Sequence, residues 1–190
     1  MILENSESKF PRNPKIPLEP WIGILPNFFD LIQYGMPFFP SSVAVNKNYC
    51  LKSGGFPVGV NRGGDKIAWI QMGIKYPIAF SSSYQAIYHT DAINRVTNMY
   101  DRSFDVTQFL DKLIDSSEVP VALIGDLKNY NAHLKINKSR HMISEGQGQL
   151  VGEMLRSIKS NRRYRKEWIQ WYFWSKMPTS VIRFFQRLRR

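Results

Sequence analysis

All of the excess positive charge in this 190-residue chain lies in its last 56 residues. Residues 1–134 hold 12 Lys plus Arg against 12 Asp plus Glu, whereas residues 135–190 hold 14 against 3, and the net charge is +11. The acids of the first part are themselves gathered, with 7 of the 12 falling between Asp91 and Asp126. A locally acidic stretch that can hold a cation is thus followed by a strongly basic one. This order suits a chain acting on a polyanion, because the basic surface attracts phosphates while the cation neutralises the acids. The plain alternative is a solvated basic face with no partner.

The rest of the composition narrows the class. An apolar fraction of 43% and an aromatic fraction of 14% exclude disorder throughout, and 190 residues suffice to bury a core. Cys50 stands alone, so neither an intramolecular disulfide nor a multi-cysteine zinc site is available. Met1-Ile-Leu-Glu-Asn-Ser-Glu-Ser lacks the basic-then-apolar order of a secretory leader. The apolar region 21–39 is interrupted by Pro26, Asn27, Asp30, Gln33 and Pro37, too often for a membrane-spanning helix. A cytoplasmic or nuclear-type intracellular location is expected.

Within the acidic stretch, Pro120-Val-Ala-Leu-Ile-Gly-Asp126-Leu-Lys128 is a short apolar run without an evident helical period, which predicts a buried strand. Residues two apart on a strand share a face, so Asp126 and Lys128 would point the same way and Leu127 back into the core. Asp105-Val-Thr-Gln-Phe-Leu110 opens the preceding apolar run. If the two runs form a hairpin across residues 111–119, Asp105 lies beside Asp126. Two carboxylates so placed suit a hard divalent cation such as Mg²⁺, with the lysine assisting a metal-bound water. The first run also fits a helix capped by Asp105, with Phe109, Leu110, Leu113 and Ile114 on one face; the two acids then need not meet.

Asp105, then Asp126-Leu127-Lys128, then Gln149 on a following helix, with Gln147 as its substitute, resembles the pattern of the PD-(D/E)xK nuclease superfamily. The likeness spans about residues 85–158. It implies an α/β domain with a mixed central sheet flanked by helices, restriction-endonuclease-like, carrying here a basic helical C-terminal extension. It further implies phosphodiester hydrolysis of DNA or RNA with Mg²⁺ or Mn²⁺. Asp105, Asp126 and the carbonyl of Leu127 would hold the metal, Lys128 would assist the attacking water, and Gln149 would support the site. Asp91 is a candidate third acid, and His89 a candidate ligand of the kind found in viral cap-snatching endonucleases. Solvated positions on a helix spanning residues 84–99 are the plainer reading of both.

The remaining segments are read by pattern. Pro11, Pro14, Pro17 and Pro20 predict an extended N-terminal arm over residues 1–20, followed by an α/β core over 21–158 and a basic aromatic helical tail over 159–190. Residues 21–34 approximate a short helix, and residues 66–74 and 76–80 look like strands. The glycine-rich segment 53–64 lacks the Lys-Ser or Lys-Thr ending of a phosphate loop and reads as turns. Lys135, Lys138 and Arg140 fall in an expected polar loop that can track a phosphate backbone. Leu150, Met154, Leu155 and Ile158 form the expected inward stripe of the next helix.

Arg162, Arg163, Arg165 and Lys166 precede Trp168-Ile-Gln-Trp-Tyr-Phe-Trp174, where cations hold phosphates and rings either stack on unpaired bases or pack on the domain. Residues 179–190 predict an amphipathic helix with Val181, Phe184, Phe185 and Leu188 on one face. It suits an anionic membrane surface, a protein partner's groove, or more nucleic acid. Three functions follow from these readings. They are a metal-dependent nuclease, a non-catalytic nucleic-acid-binding or ribonucleoprotein subunit, and a peripheral membrane or scaffold protein anchored by the terminal helix.

Overall fold

A computed structural model of the chain describes residues 2–4, 13–60, 63–83, 86–89, 105–178 and 180–182. In chain order these form β1 (Ile2–Glu4), β2 (Ile22–Ile24), α1 (Phe28–Leu31), α2 (Lys47–Lys52), α3 (Gly64–Lys75), β3 (Ala79–Ser81), β4 (Ile87–His89), α4 (Val106–Asp115), α5 (Val121–Ser144), α6 (Gly148–Arg156) and α7 (Arg165–Trp174). Two isolated pairs, β1 parallel to β4 and β2 antiparallel to β3, are the only sheets among the described residues. The expected α/β fold with a mixed central sheet is therefore overturned, and the described chain is mainly helical. Its residues divide into two compact units, Met1–Leu123 and Ile124–Arg190, with the division in the first turn of α5.

The N-terminal unit is built on α3. Ile67, Ala68, Trp69 and Ile70 are all buried, and so unbroken an apolar run reads equally as a core strand or a core helix. Gly63 decides the outcome locally. Its φ of 84° makes the left-handed turn from which Gly64 starts the helix. The expected strand over 66–74 is thus helical, while β3 overlaps the expected strand over 76–80 only at its end. Phe28, Phe38 and Trp69 form a run of rings, stacked at 6.1 Å and then edge-on at 5.9 Å.

The expected helix over residues 21–34 is split. Trp21 exchanges hydrogen bonds with Ser82 beside the β2–β3 pair, and α1 starts only at Phe28, after Asn27 caps it from a left-handed conformation. In the described part of the N-terminal arm, Asn13 Nδ2 donates to the carbonyls of Leu31 and Gly35, which ties the segment down. Residues 86–89, expected to be helical, contain β4. Asp91 and the rest of that predicted helix lie outside the described residues.

The C-terminal unit comprises α5 from residue 124, α6 and α7. Ala132, Ile136, Ile143, Val151, Leu155, Ile158 and Ile182 form its core, with Trp168, Trp171, Tyr172 and Trp174 partly buried against it. Of the stripe expected on α6, Leu155 and Ile158 are buried, but Leu150 is 54% exposed and Val151 points inward instead. The close fit of α6 to the turn after α7 depends on Gly148, where a β-carbon would meet the Ser175 carbonyl oxygen at 2.6 Å.

Candidate nucleic-acid interface

The expected acid–lysine site rests on a hairpin that does not form. Asp105 is the N-cap of α4, where its Oδ1 accepts from the Thr107 amide at 2.9 Å and the Thr107 hydroxyl at 2.7 Å. This is the capped-helix alternative, and it arises because Asp supplies the oxygen that the free amides of a first turn need. Asp126, Leu127 and Lys128 lie inside α5. Residues two apart on a helix are about 200° apart around its axis, so Asp126 and Lys128 diverge, and Leu127 is fully buried. Asp105 belongs to one unit and Asp126 to the other. Gln149 is exposed on α6 and Gln147 stands at its N-cap. Among the described residues no group of three or more His, Cys, Asp or Glu side chains could hold a metal ion.

The basic residues divide into buried and exposed sets. The expected loop carrying Lys135, Lys138 and Arg140 is part of α5. Lys135 is only 2% exposed, and its Nζ donates to Ser157 Oγ at 2.8 Å, so this ammonium joins α5 to the end of α6 and is not presented to a ligand. Arg140 is exposed and Lys138 partly so. Arg162, Arg163, Arg165 and Lys166 are all exposed, clustered in the turn before α7 and in its first two residues.

The turn that presents them is itself braced. Asn161 Nδ2 donates to Asn129 Oδ1 at 3.0 Å, and Asn161 Oδ1 accepts from the Tyr164 amide at 3.3 Å. Trp168 then fixes the start of α7 by donating from Nε1 to the Leu155 carbonyl at 2.8 Å, while its ring stacks on Tyr172 at 4.9 Å. One face of α7 is thereby turned inward. On the other, Arg165, Ile169 and Phe173 follow at steps of four, with Lys166 and Gln170 beside them. Ile169 and Phe173 remain 53% and 57% exposed.

Electrostatics carry a mark of this cluster. Burial first, and the Arg163 charge second, hold the His133 imidazole below its ordinary pKa of 6.5. Asn137 Nδ2 stands 2.8 Å from His133 Nε2, and an amide nitrogen there donates to an unprotonated ring nitrogen, which agrees with a neutral ring.

Phe173 is the residue that reading the sequence as a block of aromatics did not single out. A helical period applied to residues 165–174 separates it from Trp168 and Tyr172, and that was the available signal. The terminal amphipathic helix is described only at Ser180, Val181 and Ile182, with Ile182 buried; residue 179 and residues 183–190 lie outside the described residues. No helix among the described residues is long and apolar enough to cross a membrane. Comparison with family models, with curated proteins and with solved structures finds no match.

Proposed function

We propose that the C-terminal helical unit binds the phosphate backbone of single-stranded nucleic acid through the turn and exposed face of α7. One observation carries this reading. Residues 124–190 hold 15 Lys plus Arg against 4 Asp plus Glu, whereas residues 1–123 hold 11 of each, so the whole excess charge coincides with one compact unit. Arg162, Arg163, Arg165 and Lys166 offer a row of cations to successive phosphates. Phe173, exposed about two turns farther along the same face of α7 as Arg165, supplies a ring on which an unpaired base stacks. Lys135 is not a contact, and the reading draws on none of Asp105, Asp126, Lys128 and Gln149.

The test is fluorescence anisotropy with a labelled single-stranded oligonucleotide across a salt series, on the full chain. Binding is expected to weaken as salt rises and to survive a chelator. If the four cations each neutralise one phosphate, they account for a logarithmic salt slope of about −3, or an affinity loss of about 50-fold between 50 and 200 mM salt. Salt-independent binding, or none at low salt, overturns the proposal. Metal-dependent cleavage of the oligonucleotide would instead revive the nuclease expectation on residues other than a hairpin pair.

A further inference from the structure

Within the N-terminal unit, the arm from Asn13, the loop after α1, the start of α2 and the β3 strand surround an open cleft of about 910 Å³. That volume is in the range of small-molecule sites. Aromatic rings form part of its walls, among them Phe39, Tyr49, Trp69 and Tyr76, and Tyr49 and Tyr76 stack at 4.5 Å.

The polar groups of the cleft are largely engaged already. Asn13 holds the Leu31 and Gly35 carbonyls. Ser42 bonds to the Phe39 backbone, Asn46 caps α2, and Ser82 bonds to the Trp21 backbone. Glu19 is the only formally charged side chain among the described lining residues. It is exposed, and no described residue forms an ion pair with it.

We propose that this cleft binds a small organic ammonium ion carrying an apolar body, with Glu19 as counter-charge and the aromatic rings of the walls receiving the apolar body. Aromatic faces attract cations through the negative potential of the ring, and one wall ring already does so within the chain. The Lys15 ammonium stands 5.4 Å from the centre of Tyr34, with its own charge offset by Asp30 at 3.2 Å. A carboxylate ligand meets no lysine or arginine among the described lining residues and faces Glu19, so the cleft discriminates by sign as well as by shape.

Three probes sharing one phenylpropyl body test this on the full chain by isothermal titration: 3-phenylpropyl-trimethylammonium, its neutral tert-butyl isostere, and 4-phenylbutyrate. The cation is expected to bind at least about ten-fold more tightly than either of the others. Glu19→Gln, an isosteric change at an exposed position, is expected to weaken the cation by about five-fold while leaving the neutral probe and the melting temperature unchanged. Equal affinity for the cation and its neutral isostere overturns the proposal, as does the absence of saturable cation binding. Loss of both probes together in Glu19→Gln would do the same, because it would show a role in shape and not in charge.

Discussion

The two units solve the same problem, burying aromatic side chains, in opposite ways. In the N-terminal unit, Trp69 is 5% exposed and its Nε1–H has no acceptor among the described residues; Phe38 and Phe56 meet its ring edge-on, and a broad cleft is left open beside it. In the C-terminal unit, Trp168 is only partly buried, yet its Nε1–H is paired with the Leu155 carbonyl. Helices there approach closely enough for a glycine to be required. The first unit keeps an aromatic surface and no net charge, while the second uses its tryptophans as structure and exposes arginines. Tryptophan content therefore says little about binding until the indole nitrogen and the exposed face have been located.

The largest effect is expected in nucleic-acid affinity, and within the C-terminal unit it separates exposed from buried cations. Replacing Arg162, Arg163, Arg165 and Lys166 together by Ala is expected to lower affinity by about 100-fold at low salt and to flatten the salt slope by about 3. Lys135→Met is expected to leave both unchanged, because that ammonium is spent on Ser157. If the two variants behave alike in anisotropy titrations, the division between buried and exposed cations has no functional meaning.

Next in size is a pair of glycines within the C-terminal unit. Gly148→Ala forces a β-carbon against the Ser175 carbonyl, a backbone atom that cannot swing away, and should cost about 2 to 3 kcal/mol. Gly125, inside α5, has no atom within 4 Å of where its β-carbon would stand. Gly125→Ala is expected to add about 1 kcal/mol through helix propensity. Urea unfolding of both variants measures the difference, and a tolerated Gly148→Ala would mean that the α6–α7 fit is looser than the geometry indicates.

Sequence reasoning caught the electrostatic half of this molecule and missed most of its backbone. Charge segregation needs only counting, and it coincides closely with the division between units. The strands expected at 66–74 and 120–128 failed for a shared reason. Each is a short apolar run, and such runs do not distinguish a core strand from one buried turn of a longer helix. For α5 the disguise went further. Its buried row at four-residue spacing is Leu127, Asn131, Lys135, Ser139 and Ile143, polar through the middle, so no apolar stripe marked the helix. Asn131 and Lys135 are buried inside the fold, which is a tertiary fact without a local signature. The cap at Asp105 was legible as the alternative to the hairpin, from Asp followed by a helical period, and the structure places it there.

A smaller effect separates the two indoles directly. Substituting β-(3-benzothienyl)alanine removes the N–H donor and keeps the ring shape. At position 168 this loses the bond to Leu155 and is expected to cost about 1 kcal/mol. At position 69 no bond is lost, and the change should be neutral or slightly stabilising. Equal costs at the two positions would show that Trp69 has an acceptor after all.

The finest test concerns His133, where the folded unit resists protonation. A pKa below the ordinary 6.5 means that the folded state binds this proton less readily than the unfolded chain. The associated stability is complete above about pH 6.5 and is lost as pH falls from there through the lowered pKa, at up to about 1.4 kcal/mol per pH unit for a single proton. Since Arg163 contributes to the shift after burial, a phosphate seated on Arg163 would offset that charge and move the imidazole part of the way back up. Titration of the His133 ring by NMR, with and without oligonucleotide, should therefore show a rise of a fraction of a unit on binding, and Arg163→Gln should raise it in the free protein. If the oligonucleotide binds and the His133 titration stays where it was, Arg163 is not a phosphate contact. The interface would then have to be sought farther along α7, beyond Arg165.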